Sequence, residues 1–191
     1  RMRLYEETKR QLKFLKALHE IDSVISAGLD LRLTLQLLIE HAIAELGIDA
    51  ANVLLLNPHL QTLDYVAGRG FRTNLVQTAH VRLGESFAGR AALERRVVHA
   101  DRAQMQASPP FAALWAGEEF AAYCGVPLIA KGEVKGVLEV YQRTPFSSEP
   151  QWLGFLETFA GQAAIAIDNM LLFENMQHSN LELTVAYDTT I

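Results

Sequence analysis

Apolar positions recur along this chain with two different periods, and each change of period marks an element. From 31 to 46, Leu31, Leu35, Leu38, Ile39, Ala42, Ile43 and Leu46 repeat at helical spacing. That pattern predicts a helix with one side laid on a sheet. Gly28 stops the preceding element, Asp30 caps this helix and Gly47 closes it. Short apolar runs at 51–56 and 63–67, joined by polar residues 57–62, predict two strands. A short strand at 81–83, a helix at 87–95 behind Gly84-Glu85-Ser86, and a short strand at 97–101 follow. Residues 102–119 read as a loop, then a short helix begun by Pro110 and holding Phe111, Leu114 and Trp115.

The densest pattern lies at 120–141. Apolar runs at 122–130 and 134–141 flank the polar reversal Lys131-Gly132-Glu133, which predicts a hairpin. Pro127 has no N–H, so its strand lies at a sheet edge or starts anew there. Ser147 or Ser148 then caps a long helix from about 149 to at least 176. Trp152, Leu156, Phe159, Ala163, Ala166, Met170 and Phe173 form a seam at spacings of four and three, suited to close approach by another helix or a sheet. A second apolar face with Ile165, Ile167, Leu171 and Leu172 is assigned to the domain's own sheet. At the other end, 3–27 reads as a helix whose Phe14, Leu18, Ile21 and Ile25 share a seam. That helix either covers its own core or pairs with a second copy.

Phe120-x-x-Tyr123-x-x-Val126-Pro127-Leu128, followed by Lys131-Gly132-Glu133 and Gly136-Val137-Leu138, resembles the C-terminal half of a GAF domain. The run Leu83-Gly84-Glu85-Ser86-Phe87-Ala88-Gly89-Arg90-Ala91 is similar to that family's turn into its mid-domain helix. The resemblance implies an α+β, GAF/PAS-like fold: an antiparallel sheet of five or six strands, helices on both faces, and long N- and C-terminal helices. It divides the chain into a signalling or dimerisation helix at 1–27, a GAF domain at 28–175, and a connector at 176–191. The first residue is Arg1 rather than Met, so the sequence is expected to be a piece of something longer. Residues 180–191 resemble the connector that precedes an HD-GYP phosphodiesterase domain, an output class that hydrolyses cyclic di-GMP. Neither the His-Asp doublet nor the Gly-Tyr-Pro triplet of that class is present.

Composition narrows the function. Half of the 191 residues are hydrophobic and the net charge is −5, so neither nucleic acid nor an anionic membrane is an expected partner. No apolar run reaches the ~18 residues of a membrane helix, and a cytoplasmic location is expected. The single Cys124 excludes a disulfide framework and any multi-thiolate zinc site. The six histidines form no HExxH, and Ser86 sits in no GxSxG. Gly68-Arg69-Gly70 lacks phosphate-loop spacing and reads as a turn, and the adjacent Glu118 and Glu119 do not face each other as an acid–base pair. No catalytic constellation, metal site or cofactor is expected, so the chain reads as non-catalytic.

Within the resemblance, Cys124 is followed by Gly125, not by the His common at bilin-bearing cysteines, and the Asn-Lys…Phe…Asp-Glu pattern of cyclic-nucleotide-binding members is absent. Sulfoxide reduction by small members of the family needs more than one thiol. A pocket in the middle segment would draw on Tyr65, His99, Phe111, Leu114, Trp115, Phe120 and Tyr123, unless these side chains simply fill the core. The implied function is a sensory and dimerisation module, homodimeric through its end helices, that relays a small molecule or partner to an output domain. A ligand-free dimerising spacer and a single-cysteine redox sensor are the alternatives.

Overall fold

A computed structural model describes residues 6–13, 31–108, 112–113, 115–146 and 150–188, with side chains as far as Leu172. Gly28, Asp30, the 14–25 seam, Pro110, Phe111, Leu114, Ser147 and Ser148 lie outside the described residues. The helices are α1 (6–13), α2 (Leu31–Leu46), α3 (Ser86–Glu94), α4 (Arg102–Gln106) and α5 (Pro150–Asp188). The strands are β1 (Ala50–Asn57), β2 (Thr62–Arg69), β3 (His80–Arg82), β4 (Val98–Asp101), β5 (Ala122–Ala130) and β6 (Glu133–Gln142). They form one antiparallel sheet in the order β3-β2-β1-β6-β5-β4, so the two hairpins meet at its centre through β1 and β6.

Local chemistry fixes the central hairpin. Lys131 and Gly132 both adopt positive φ, 52° and 77°, the two-residue reversal whose twist matches paired strands. β4 covers β5 only from Ala122 to Gly125, so Pro127 falls where the outer edge is already unpaired and its missing N–H costs no ladder bond. Two bulges, at Val66 in β2 and Lys135 in β6, each insert one extra residue. The second helps aim Lys135 at α5, where Asp168 accepts from Lys131 (3.2 Å) and Lys135 (3.4 Å). One side chain thus ties α5 to both sides of the hairpin turn.

Strand alternation sorts the core onto two faces. Ala51, Val53, Cys124, Val126, Leu128, Leu138 and Val140 face α2 and α5, where they meet Leu35, Ile39, Leu156, Ala160, Ala163 and Ile167. Small residues on α5 let the helix approach the sheet closely. The seam read from sequence therefore serves this internal contact: Leu156 is 0% exposed, Ala163 2% and Met170 8%. The face assigned to the sheet splits instead. Ile167 is buried and Ile165 is 58% exposed, while Leu171 and Leu172 are partly exposed and line a groove with Leu55, Leu56 and Val66 of the sheet. The assignment fails at Ile165, because the narrow Leu-Ala stripe fits the sheet better than the bulkier residue beside it.

The 102–119 segment also departs from expectation at its start. It opens with α4, not a loop. Asp101 accepts from the Gln104 N–H at 2.8 Å, while the Gln104 side chain accepts from the Asp101 N–H at 2.9 Å, a complete capping box.

Candidate functional site

On the face away from α2 and α5, the sheet carries aromatic and polar side chains. Tyr123 and Tyr141 are register partners on β5 and β6, with ring centres 5.2 Å apart. Phe120 stacks on Tyr141 at 4.8 Å, Trp115 packs on the same ring at 4.5 Å, and Phe71 meets Tyr141 edge-on at 5.5 Å. Phe87 of α3 closes against Tyr123 at 5.4 Å. Rings at these separations attract beyond their area burial alone.

Two buried carboxylates lie in this layer, and their surroundings differ. Glu139 in β6 accepts from Asn52 Nδ2 (2.9 Å) and from the Tyr123 hydroxyl (2.7 Å), with the Tyr141 hydroxyl beside it. Burial pushes its carboxyl above the usual range, against the pull of these neutral donors. Burial and the neighbouring Glu139 in turn hold both tyrosines well above their ordinary value.

Glu118 is 1% exposed and clamps two loops together. Its carboxylate accepts from the N–H groups of Arg72 (3.0 Å) and Thr73 (2.9 Å), the Thr73 hydroxyl (3.1 Å) and the Arg143 guanidinium (3.1 Å). Burial alone would raise this carboxyl, but the hydrogen bonds and the Arg143 charge outweigh it and hold it below its ordinary value. Arg143 also donates to the Glu118 carbonyl at 2.9 Å and lies 5.0 Å from the Phe120 ring centre.

Above the aromatic layer an open cleft of about 730 Å³ is lined by Arg72, Arg102, Arg143, Met105, Trp115 and Phe120. Its size falls within the range of small-molecule sites. A separate groove of about 660 Å³ lies across the sheet, among α1, α2 and α5.

Of the residues picked from sequence, Trp115, Phe120 and Tyr123 come together here. Tyr65 belongs to the neighbouring cluster with Leu54 and Leu63. His99 is not brought in: it is exposed and pairs with Cys124 on the face toward the helices, while its neighbour Ala100 packs among the aromatics. The Tyr123 hydroxyl is committed to Glu139 and does not face the cleft as a ligand donor. Sequence reading missed Arg72, Arg102, Arg143 and the clamp at Glu118. Arginines 30 and more residues apart carry no spacing signal, and only the register of β6 places Arg143 beside Glu118.

Cys124 is fully buried in the helix-side core, and burial, aided by Glu157, pushes its thiol up to about 12. A thiol in that state reacts poorly, which weighs against the redox-sensor alternative. Among the described residues no three His, Cys, Asp or Glu side chains gather to hold a metal ion, and no helix is long and apolar enough to cross a membrane.

A curled antiparallel sheet, backed by two helices and carrying an aromatic recess under loops, defines an α+β sensory module. The GAF domain family profile matches residues 28–168, and the chain belongs to that family. As such it is a regulatory module and not itself an enzyme.

Among solved structures, it is similar to the GAF domain of a phosphoenolpyruvate-protein phosphotransferase from Coxiella burnetii. That match has TM-score 0.66 and 21% identity, covering 84% of this chain and 96% of that one. A methyl-accepting chemotaxis protein, residues 122 to 287, matches with TM-score 0.65 and 24% identity over 80% and 98%. A type II free methionine-R-sulfoxide reductase from Thermoplasma acidophilum shares the fold at TM-score 0.59 and 18% identity, over 73% and 92%. No curated protein matches the chain in sequence.

Proposed function

We propose that this chain is a sensory relay of a bacterial, cytoplasmic signalling protein, paired through α5 with a second copy and biased by what occupies the cleft. The observation that carries this reading is a seam on the side of α5 away from the sheet, whose first half, Phe155, Thr158 and Gln162, lines the open groove shared with α1 and α2. Phe155, Thr158, Gln162, Ile165, Asn169 and Leu172 follow spacings of 3-4-3-4-3, and none is buried. Phe155 is 59% exposed, Ile165 58% and Leu172 43%. Such spacing is what a paired helix presents, and in the sequence it continues to Met176 and Leu183. At 1.5 Å per residue the 39 residues of α5 span about 58 Å, well beyond the roughly 33 Å of the longest strand. A helix of that length suits passing a change onward.

Arg143 links cleft to helix. It follows β6 directly, touches Glu118 and Phe120, and begins the short path to Pro150. A ligand that draws Arg143 from Glu118 would alter how that path leaves the sheet, and two arrangements of paired α5 helices are the states it would bias. The output is the finer step. The likeness of 180–191 to an HD-GYP connector makes a cyclic di-GMP phosphodiesterase the proposed downstream domain.

A ligand-free dimerising spacer is the second reading. It is favoured by one observation: Phe120, Tyr123 and Tyr141 are only 4%, 1% and 0% exposed, so they fill the layer beneath the cleft. Both readings require a dimer. Sedimentation equilibrium at tens of micromolar should give twice the chain mass, and Phe155→Glu with Ile165→Glu should return the chain mass. A wild-type monomer across that range would refute the pairing.

A further inference from the structure

We infer that the cleft over Trp115 and Phe120 binds a small organic anion: a flat ring carrying a carboxylate or a phosphate. The inference rests on the sensory reading above and adds the ligand's chemical class.

In a chain of net charge −5, three guanidinium groups line one cleft. Their partners divide them usefully. Arg143 is held by the inward-turned Glu118 and completes the wall. Arg102 donates only to main-chain carbonyls in the described geometry, from Nε to the Phe120 carbonyl at 3.4 Å and from Nη2 to the Glu119 carbonyl at 3.3 Å, so its charge is not neutralised there. Arg72 donates to the Gly117 carbonyl at 3.2 Å and meets Glu119 at 3.3 Å. That pair is at the surface, with Glu119 74% exposed, and such ion pairs exchange cheaply for a better-placed anion. Arginine forks are matched to carboxylate and phosphate oxygens. Behind them, half-buried Trp115 and the Phe120 ring supply an apolar wall for a planar group. A cation or a neutral ring would meet the same wall but gain nothing from the guanidinium groups.

The geometry also fixes the sign of one change. Glu119 competes with the ligand for Arg72, so neutralising it should strengthen binding.

Isothermal titration of the whole chain with 2-naphthoate, 2-naphthyl phosphate, 2-naphthylmethanol and 2-naphthylmethylammonium tests the inference. Both anions should bind, with the alcohol at least tenfold weaker and the ammonium not detected. The tighter of the two anions then tells a carboxylate site from a phosphate site. Arg72→Gln and Arg102→Gln should each weaken the anions by about tenfold, and Glu119→Gln should tighten them severalfold. Neither anion saturating at millimolar concentration would overturn the inference, as would equal binding of alcohol and anion or arginine variants without effect. Sedimentation of the same samples separates the two failures: a dimer that binds no anion removes the ligand class and leaves the relay standing.

Discussion

Against α2 and α5 the sheet presents Val53, Leu128, Leu138 and Val140, while on its other face the same strands present Asn52, Tyr123, Glu139 and Tyr141. The first face needs only area, because each fully buried aliphatic side chain contributes roughly 1.5–3 kcal/mol by leaving water. The second gives up part of that gain, since a buried carboxylate is costly unless its lone pairs are met. Its two carboxylates meet the cost differently. Glu118 recruits a guanidinium and two main-chain N–H groups and stays ionised, while Glu139 has only neutral donors within bonding distance and is pushed toward its protonated form.

That contrast can be broken in order of expected size. Leu156→Ala on the helix side should cost about 3 kcal/mol in urea denaturation, the ordinary toll of a core cavity. A loss below about 1 kcal/mol would mean that α5 is not packed as described. Glu118→Ala should cost about 2 kcal/mol, because it strands hydrogen-bond donors of Arg72, Thr73 and Arg143. Acid should reproduce part of the loss. A carboxyl whose folded pKa is depressed stabilises above its unfolded pKa, near 4, and that contribution is lost as pH falls through the lower folded value.

Glu139→Gln should change stability near neutral pH by only about 1 kcal/mol, since an amide can still accept from Asn52 and donate to the Tyr123 oxygen. Its signature is the opposite pH dependence. With the folded pKa raised, the wild type loses stability as pH rises from the unfolded value through the folded one. The glutamine variant should lack that component, and an unchanged pH profile would count against the assignment. Smallest for stability is Ile165→Ser, expected within about 0.5 kcal/mol because the side chain is 58% exposed, but with weakened self-association.

The sequence made the sheet legible because its signals are local. Alternation in 122–130 and 134–141, the Lys131-Gly132 turn and the helical period of 31–46 all depend on neighbours within a few residues. α4 was missed, although Asp101-x-x-Gln104 is a local capping-box pattern that could have found it. Which side of α5 meets the sheet was not, because both stripes are apolar and only the space between strands and α2 selects the narrower one. The candidate site was legible in its rings and illegible in its charges. Trp115, Phe120 and Tyr123 lie close in sequence, whereas Arg72, Arg102 and Arg143 converge only after β1 and β6 pair. His99 shows how a short edge strand misleads, as a one-residue step in register turns a side chain to the opposite face.

The central claim is that the outward stripe of α5 joins two copies. Double electron–electron resonance on Glu157→Cys carrying a nitroxide tests it most directly, since Glu157 is exposed on α5 beside the stripe and not in it, with fully buried Cys124 shielded from the label. Helices packed 8–10 Å apart should place the two labels about 20–30 Å from each other, allowing for their tethers. A label on Leu60→Cys, at the exposed β1–β2 hairpin tip, should lie clearly farther from its mate. No dipolar coupling at 157, or coupling no shorter than at 60, would contradict the pairing of α5.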